Sequence, residues 1–247
     1  MRELIRAEAR KITTGTTPWT LAVVGIALGA LFTEGFTQEA RTLLDAGASD
    51  ASTQTSVIVR SWMAMTLISA ILGALLVTRE YTSGSISRSV LVAGGRDRIL
   101  AAKLVVGTAA GAVFGALALV LAVGVVQFAM PRAGAEVVWT HNATLTALGI
   151  FGTTTLSATW GVLLGWIIRN QVGSVLAIIG LTLLVEPGVQ AVAPRVAAFL
   201  FTIAMTGVNL DGKPDLLSVG GSYGVLACWL AALGLVARAL LVRRDLT

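Results

Sequence analysis

The sequence predicts an all-α integral membrane protein with six transmembrane helices, an interfacial helix at its N-terminus, a short helix in its central polar stretch and a re-entrant segment between helices five and six. Three observations predict it. The 247 residues are 55% hydrophobic and only 13% charged, where soluble domains carry roughly 25% charged residues, and the mean hydropathy is +0.84. Apolar runs long enough to cross a bilayer, about 20 residues each, alternate with short polar stretches. The cations are also unevenly placed: residues 1–15, the stretch 79–103, the turn at Arg169 and the C-terminal end hold 13 of the 18 Lys and Arg but 5 of the 13 acids. The excess of Lys and Arg places these segments, and with them both termini, on the cytoplasmic side.

In chain order, residues 1–15 form the interfacial unit. Met1, Leu4, Ile5, Ala9 and Ile12 share one helical arc and Arg2, Arg6, Arg10 and Lys11 lie largely off it, the pattern of a helix lying on a membrane surface. Glu8 falls inside the apolar arc, where a carboxylate needs a basic partner or a wet edge. The first span runs from Thr16 to Phe36. Its charged start has the outline of a signal peptide, but it is long enough to span and no small-residue cleavage site follows, so a retained helix is expected. Thr37 to Ser52 is read as an outer polar connection. The second span runs from Thr55 to Thr78, with Arg60 near its outer end in reach of Glu34.

The central stretch, TREYTSGSISRSVLVAGGRDRILAAK from Thr78 to Lys103, is the longest polar interruption in the chain. Within it Ile86, Val90 and Leu91 recur at helical spacing, predicting a short amphipathic helix on the membrane surface. Leu104 to Met130 is the third span, with Gly107, Gly111 and Gly115 in a stripe that permits close backbone approach. Gly25 with Gly29 and Gly161 with Gly165 offer the same within or between subunits. Pro131 to Asn142 is an outer loop, Ala143 to Ile168 the fourth span, and Arg169 to Gln171 an inner turn. The fifth span starts near Val172 and is expected to end at Glu186, Pro187 and Gly188, a helix breaker. From Val189 to Leu210 the chain is apolar yet broken at Pro194 and Arg195, hence re-entrant or interfacial. After Asp211 to Asp215 in water, Val219 to Val242 is the sixth span.

Composition also narrows the chemistry. A net charge of +5 and a pI near 10.1 do not point to nucleic acid, because the cations sit beside apolar spans without a basic face. Cys228 is the single cysteine and His141 the single histidine, which leaves no disulfide within the chain, no Cys-based metal site and no His-Glu-x-x-His zinc helix. No expected span holds an Asp, arguing against a paired-aspartate intramembrane protease. None of the three lysines stands in a Gly-x-x-x-x-Gly-Lys-Ser/Thr context, so no P-loop is present.

Glu80, then Gly84-Ser85, Leu91, Arg96 and Lys103 follow the second span in a succession that resembles the permease subunits of type-2 ABC transporters, mostly bacterial exporters. Glu8 and Lys11 are similar to an acid and a lysine common near that family's first helix, and Arg243-Arg244-Asp245 to its C-terminal signature. Ala93-Gly94-Gly95 departs from the pattern, which has proline before the arginine. The resemblance covers almost the whole chain. It implies a single permease domain over 1–247, with a cytoplasmic coupling loop at 79–103 and a re-entrant outer gate within 187–215. It further implies a second permease subunit, identical or different, and a separate ATP-binding cassette subunit that carries the ATP and Mg, no cofactor being held by this chain. The setting would be a bacterial plasma membrane, to which the Ala-, Gly-, Val- and Arg-rich composition also points. On that reading Ile86, Val90 and Leu91 form an apolar docking face for the cassette, and Glu8, Glu80, Arg88 and Arg96 its charged contacts.

For the pathway the spans offer hydroxyls rather than charges, namely Thr66, Ser69, Thr154, Ser157 and Thr182. Trp62, Met63 and Met65 add adaptable apolar surface. An amphiphilic drug, lipid or peptide suits these groups as exported substrate, although Ser and Thr also bond to the preceding turn of their own helix and Met serves as packing. Glu186, Pro187 and Arg195 are the gate candidates, with Glu186 equally readable as a cation contact or a helix-end feature. A membrane scaffold or immunity-type protein without transport is the alternative from another class.

Overall fold

The computed structural model describes residues 1–244, and Asp245 of the C-terminal triplet lies outside them. Among the described residues the chain is helical with no strands: α1 (Arg2–Thr13), α2 (Thr17–Asp45), α3 (Ala51–Thr82), α4 (Ile86–Ala93), α5 (Arg96–Arg132), α6 (His141–Ile168), α7 (Gln171–Val192), α8 (Pro194–Ala197), α9 (Phe201–Val208) and α10 (Val219–Arg243). Six of these, α2, α3, α5, α6, α7 and α10, are long and apolar enough to cross a bilayer, the pattern of a multi-pass membrane protein.

The helices are organised about α3 and α6. Two-thirds of the apolar window of each is buried, against 17% for α7 and α10. Small residues make this approach close: a Cβ on Gly161 would lie 1.9 Å from the Ala70 carbonyl oxygen, and one on Gly73 2.0 Å from that of Ala158. Ser69 Oγ donates across the contact to the Thr154 carbonyl at 2.8 Å. The stripe Gly107, Gly111 and Gly115 of α5 faces Val162, Ala158 and Phe151 of α6, so it serves packing within the chain. Gly25 and Gly29 of α2 similarly admit Met65 and Trp62 of α3.

One end of the bundle, here termed the base, gathers the start of α2, the ends of α3, α6 and α10, the start of α5 and all of α1 and α4. Side chains join these ends: Arg79 Nη1 donates to Thr17 Oγ1 (2.5 Å) and Arg96 Nη1 to the Leu241 and Val242 carbonyls (2.6 and 2.8 Å). At the opposite, distal end Val138 N–H donates to Thr55 Oγ1 (3.2 Å), and Arg60 reaches Asp211 (3.1 Å) and the Leu210 carbonyl (2.9 Å). The pairing of Arg60 with Glu34 is therefore not formed; Glu34 lies 4.0 Å from Arg132.

Several expected boundaries move. α2 continues through the polar stretch after Phe36 to Asp45, because Phe36, Ala40 and Leu44 extend a helical stripe onto the core while Glu39, Arg41 and Asp45 stay outside. α3 starts at Ala51 after Asp50, whose carboxylate accepts from the hydroxyls of Ser52 and Thr53 and is pulled down to about 2 by them. That contribution holds above the unfolded value of 3.8 and fades as pH falls toward about 2. The central stretch is mostly helix: α3 runs to Thr82 and α5 starts at Arg96, leaving residues 83–85 and 94–95 as corners. Gly94, at φ +73°, ends α4 with its N–H on Leu91 O (3.1 Å) and that of Gly95 on Val90 O (3.2 Å), so the Ala-Gly-Gly that stands where proline was expected makes a defined C-cap.

The fifth span also runs on, past Glu186-Pro187 to Val192, and breaks at Ala193. A π turn at Leu181–Val185 widens the helix just ahead of Pro187, and this is how the missing N–H and the ring of a proline are accommodated inside a helix.

Gly161→Ala should push α3 and α6 apart and cost roughly 1–3 kcal/mol or more. Gly224→Ala, which meets open space, should melt as the unaltered protein does. Thermal unfolding in detergent reads both, and equal melting of the two variants contradicts the close contact.

Candidate functional site

At the base, four charged side chains from three helices meet in the interior. The turn of α1 places Glu8 and Lys11 on one face, α3 brings Glu80, and α5 brings Lys103 from 23 residues further along. Lys103 Nζ donates to Glu8 Oε2 (2.7 Å), Glu80 Oε1 (2.9 Å) and the Leu76 carbonyl (2.9 Å). Its three protons are thereby satisfied, and the residue is 2% exposed. Lys11 Nζ donates to Glu80 Oε1 (2.7 Å) and also to Glu8 Oε1. Two acids and two bases form a neutral, alternating cluster, which is what removal from water demands. Glu8, expected to need a basic partner in its apolar arc, has two.

Burial alone would lower the pKa of Lys11, but hydrogen bonds to Glu8 and then Glu80, with their charges, raise it above its ordinary 10.5. A raised value for a base means that the stabilisation is complete below the unfolded value and is lost as pH climbs through the folded one. The hold of Lys11 on α1 is thus in force at neutral pH and weakens in alkali.

α4 is seated beside this cluster. Ile86, Val90 and Ala93 are buried among Val77, Ile99, Leu100 and Trp166. Leu91 and Val92 are 81% and 79% exposed, and Arg88 is exposed on the same short helix. The apolar face assigned to Ile86, Val90 and Leu91 therefore divides: the stripe 86, 90, 93 packs inward at helical spacing, and the open apolar surface is Leu91 with Val92. Glu80 and Glu8 are held within the chain. Arg96 caps the last carbonyls of α10, where cations oppose the negative end of the helix dipole.

Arg169 and Asp97 complete the base. Arg169 donates to Leu240 O (3.2 Å) and stands 5.3 Å over the Tyr81 ring, while Arg238 makes two bonds to Asp97 (2.9 and 3.2 Å). Neither the cap on α10 nor the Asp97–Arg238 pair was legible in the sequence, since each joins residues more than 70 apart.

The distal half holds a cavity of about 360 Å³ between α3, α6, α7 and α9. Met63, Thr66, Thr182, Pro187 and Ser157 line it, together with Trp160 and Asn209, which sequence patterns did not single out. Trp62 does not line it; it is buried against Gly29. Ser69 is occupied by its bond to α6, and Met65 is fully buried. Thr154 is likewise buried at the contact with α3. Glu186 accepts from Thr202 N (2.7 Å), Thr202 Oγ1 (2.5 Å) and Ile203 N (3.3 Å), so it caps the first turn of α9. Arg195 is exposed and away from the cavity wall. Among the described residues no three His, Cys, Asp or Glu side chains come together as a metal centre would require.

No protein-family model and no curated protein matches this chain.

Lys103→Met should leave Glu8 and Glu80 sharing Lys11 alone, with one negative charge in excess in the interior, and cost about 3–5 kcal/mol. Adding Glu8→Leu, which removes the excess carboxylate, should recover part of that loss. Melting of Lys103→Met at the unaltered temperature would contradict a buried ionic cluster. Separately, the protection factors of the α1 amides, taken against the intrinsic exchange rate at each pH, should stay constant from pH 7 to about 10 and fall above the ordinary lysine value; a fall between pH 5 and 8 instead would assign the attachment to another group.

Proposed function

We propose that the chain is the permease subunit of an ABC exporter of the type-2 class, forming half of a translocation pathway in a bacterial plasma membrane. A separate cassette subunit supplies ATP hydrolysis with its ATP and Mg, and a second permease, identical or different, supplies the other half. The base is the cytoplasmic side, by the placement of Lys and Arg, and α1 lies along that interface.

The observation that carries this reading is the seat of α4. It is held between the two corners that follow α3 and precede α5, with one face buried and the other presenting Leu91, Val92 and Arg88. A force on the open face is passed to α3 and α5 by the buried stripe Ile86, Val90 and Ala93, and to α1 by the cluster around Lys103. This is a coupling helix: cassette closure displaces it and tilts packed helices against one another. Glu8 and Glu80 take part as internal braces, and the cassette contact falls to Leu91, Val92 and Arg88.

The distal cavity supports an amphiphilic substrate, a drug, lipid or peptide, because its wall joins Met63, Trp160 and Met205 to the hydroxyls of Thr66, Ser157 and Thr182. The segment from Pro187 through α9 forms its outer cover and acts as the re-entrant gate, with Glu186 fixing the start of α9.

Purification from native membranes in mild detergent should bring an ATP-binding subunit with the chain. Leu91→Glu with Val92→Glu should remove that subunit and leave the melting temperature unchanged, whereas Ile86→Ala should lower melting by about 2–5 kcal/mol of stability. A chain that always purifies alone, from gently treated native membranes, favours a non-transporting scaffold.

A further inference from the structure

Beside the buried cluster, a cavity of about 280 Å³ with charged groups in a largely apolar wall opens between α1, the start of α2, α3 and α5. It adjoins an apolar groove of about 450 Å³ on α1, α2 and α5, and Ile12, Pro18, Leu72 and Val106 line both. The polar part holds Glu8, Glu80, Lys11, Lys103 and Arg79. Two acids against three bases leave one positive charge without a counterpart. That charge belongs to Arg79, which is exposed, donates to Thr17 Oγ1 at 2.5 Å and has no carboxylate partner. One N–H of its five is used, so the guanidinium keeps a fork open to a phosphate.

The groove has the dimensions of a single acyl chain. On α5 it extends from Val105 to Leu117, about 18 Å at the helical rise, close to half of a hydrocarbon core of about 30 Å. It starts at the base and stops near mid-membrane, the depth reached by a lipid of the leaflet on that side. Its wall is almost wholly apolar, with Ile5, Trp19, Ala109, Val113 and Phe114 among the residues that form it and Thr13 as its one hydroxyl.

We infer that this composite site binds one phospholipid of net charge −1, its phosphate on Arg79 and one acyl chain in the groove between α1, α2 and α5. The charge balance selects the lipid: a phosphatidylglycerol neutralises the site, and a zwitterionic phosphatidylethanolamine or phosphatidylcholine leaves the same +1 behind. The lipid would wedge α1 against α2 and α5 beside the Lys103 cluster, so its presence sets how firmly α1 is held. The inference does not rest on the exporter reading, since a scaffold with this groove would bind the same lipid.

The test uses the full chain in vesicles of equal parts phosphatidylglycerol, phosphatidylethanolamine and phosphatidylcholine, released intact and weighed by native mass spectrometry. One phosphatidylglycerol per chain should be retained in about fivefold preference over either zwitterion, the value of one cation near an anionic lipid. Arg79→Gln should abolish the preference, Arg79→Lys should keep it, and Ala109→Trp, which fills the groove from an exposed position, should reduce retention of the lipid itself. Arg132→Gln, at the distal end, should change nothing. Equal retention of the three lipids by the unaltered chain overturns the inference, as does an Arg132→Gln effect as large as that of Arg79→Gln. Should Arg79→Gln fail to fold, Ala109→Trp decides alone: undiminished phosphatidylglycerol retention overturns the site.

Discussion

A charge carried on a helix that crosses a bilayer has no water to turn to, and the chain must supply its partners from its own residues. Lys103 states the constraint most plainly. It is nearly inaccessible, its three protons meet Glu8, Glu80 and a carbonyl, and those partners come from helices 95 and 23 residues away. Satisfying that one ammonium fixes the position of α1, the height of the end of α3 and the rotation of α5. The same demand is met elsewhere at the base by carbonyl acceptors, where Arg96 and Arg169 close the end of α10. Much of the positive charge at this end therefore has two roles, marking the side of the bundle and tying its helix ends together.

This double role reshapes what the base can present outward. Once Glu8, Glu80, Lys103 and Arg96 are engaged internally, two open features stand out beside them: the Leu91–Val92 edge of α4, with Arg88 next to it, and Arg79 at the head of the groove. The first is apolar and faces away from the bundle, the second is cationic and borders the cavity beside the cluster. Their chemistry differs as their positions do, which is why a protein partner suits one and a phosphate suits the other.

The six spans were legible because hydropathy over 20 residues is a strong signal, and Glu8 was legible as a residue in need of a base because it interrupts an apolar arc. Helix ends were not. The stretch after Phe36 is polar in composition, yet its Ala40 and Leu44 continue the buried stripe, and composition averages away a stripe that narrow. The face of α4 was misjudged for a related reason: Ile86 and Val90 do share a face with each other, but the third member is Ala93, and Leu91 points elsewhere. Glu186 was recognised as unusual without its role being readable, because the N–H groups it caps lie 16 residues on, and no local pattern encodes a contact at that separation. The cavity residues divide in the same way. Thr66 and Thr182 face an open volume while Ser69 faces a neighbouring backbone, a distinction set by helix rotation, which a hydroxyl in a hydrophobic run leaves undetermined.

The contact between Gly73, Gly161 and the carbonyls of Ala158 and Ala70 leaves no clearance for sliding or rotation. α3 and α6 behave in consequence as a single strut, cross-pinned by Ser69, and any displacement of one is a displacement of both. The outer helices α2, α7 and α10 bury less of their apolar windows, and no glycine of theirs meets a neighbouring helix's backbone so closely, so side chains rather than backbone contacts hold them to that axis. The end of α3 at the base and the wall that α6 gives the distal cavity are thereby parts of one continuously packed pair.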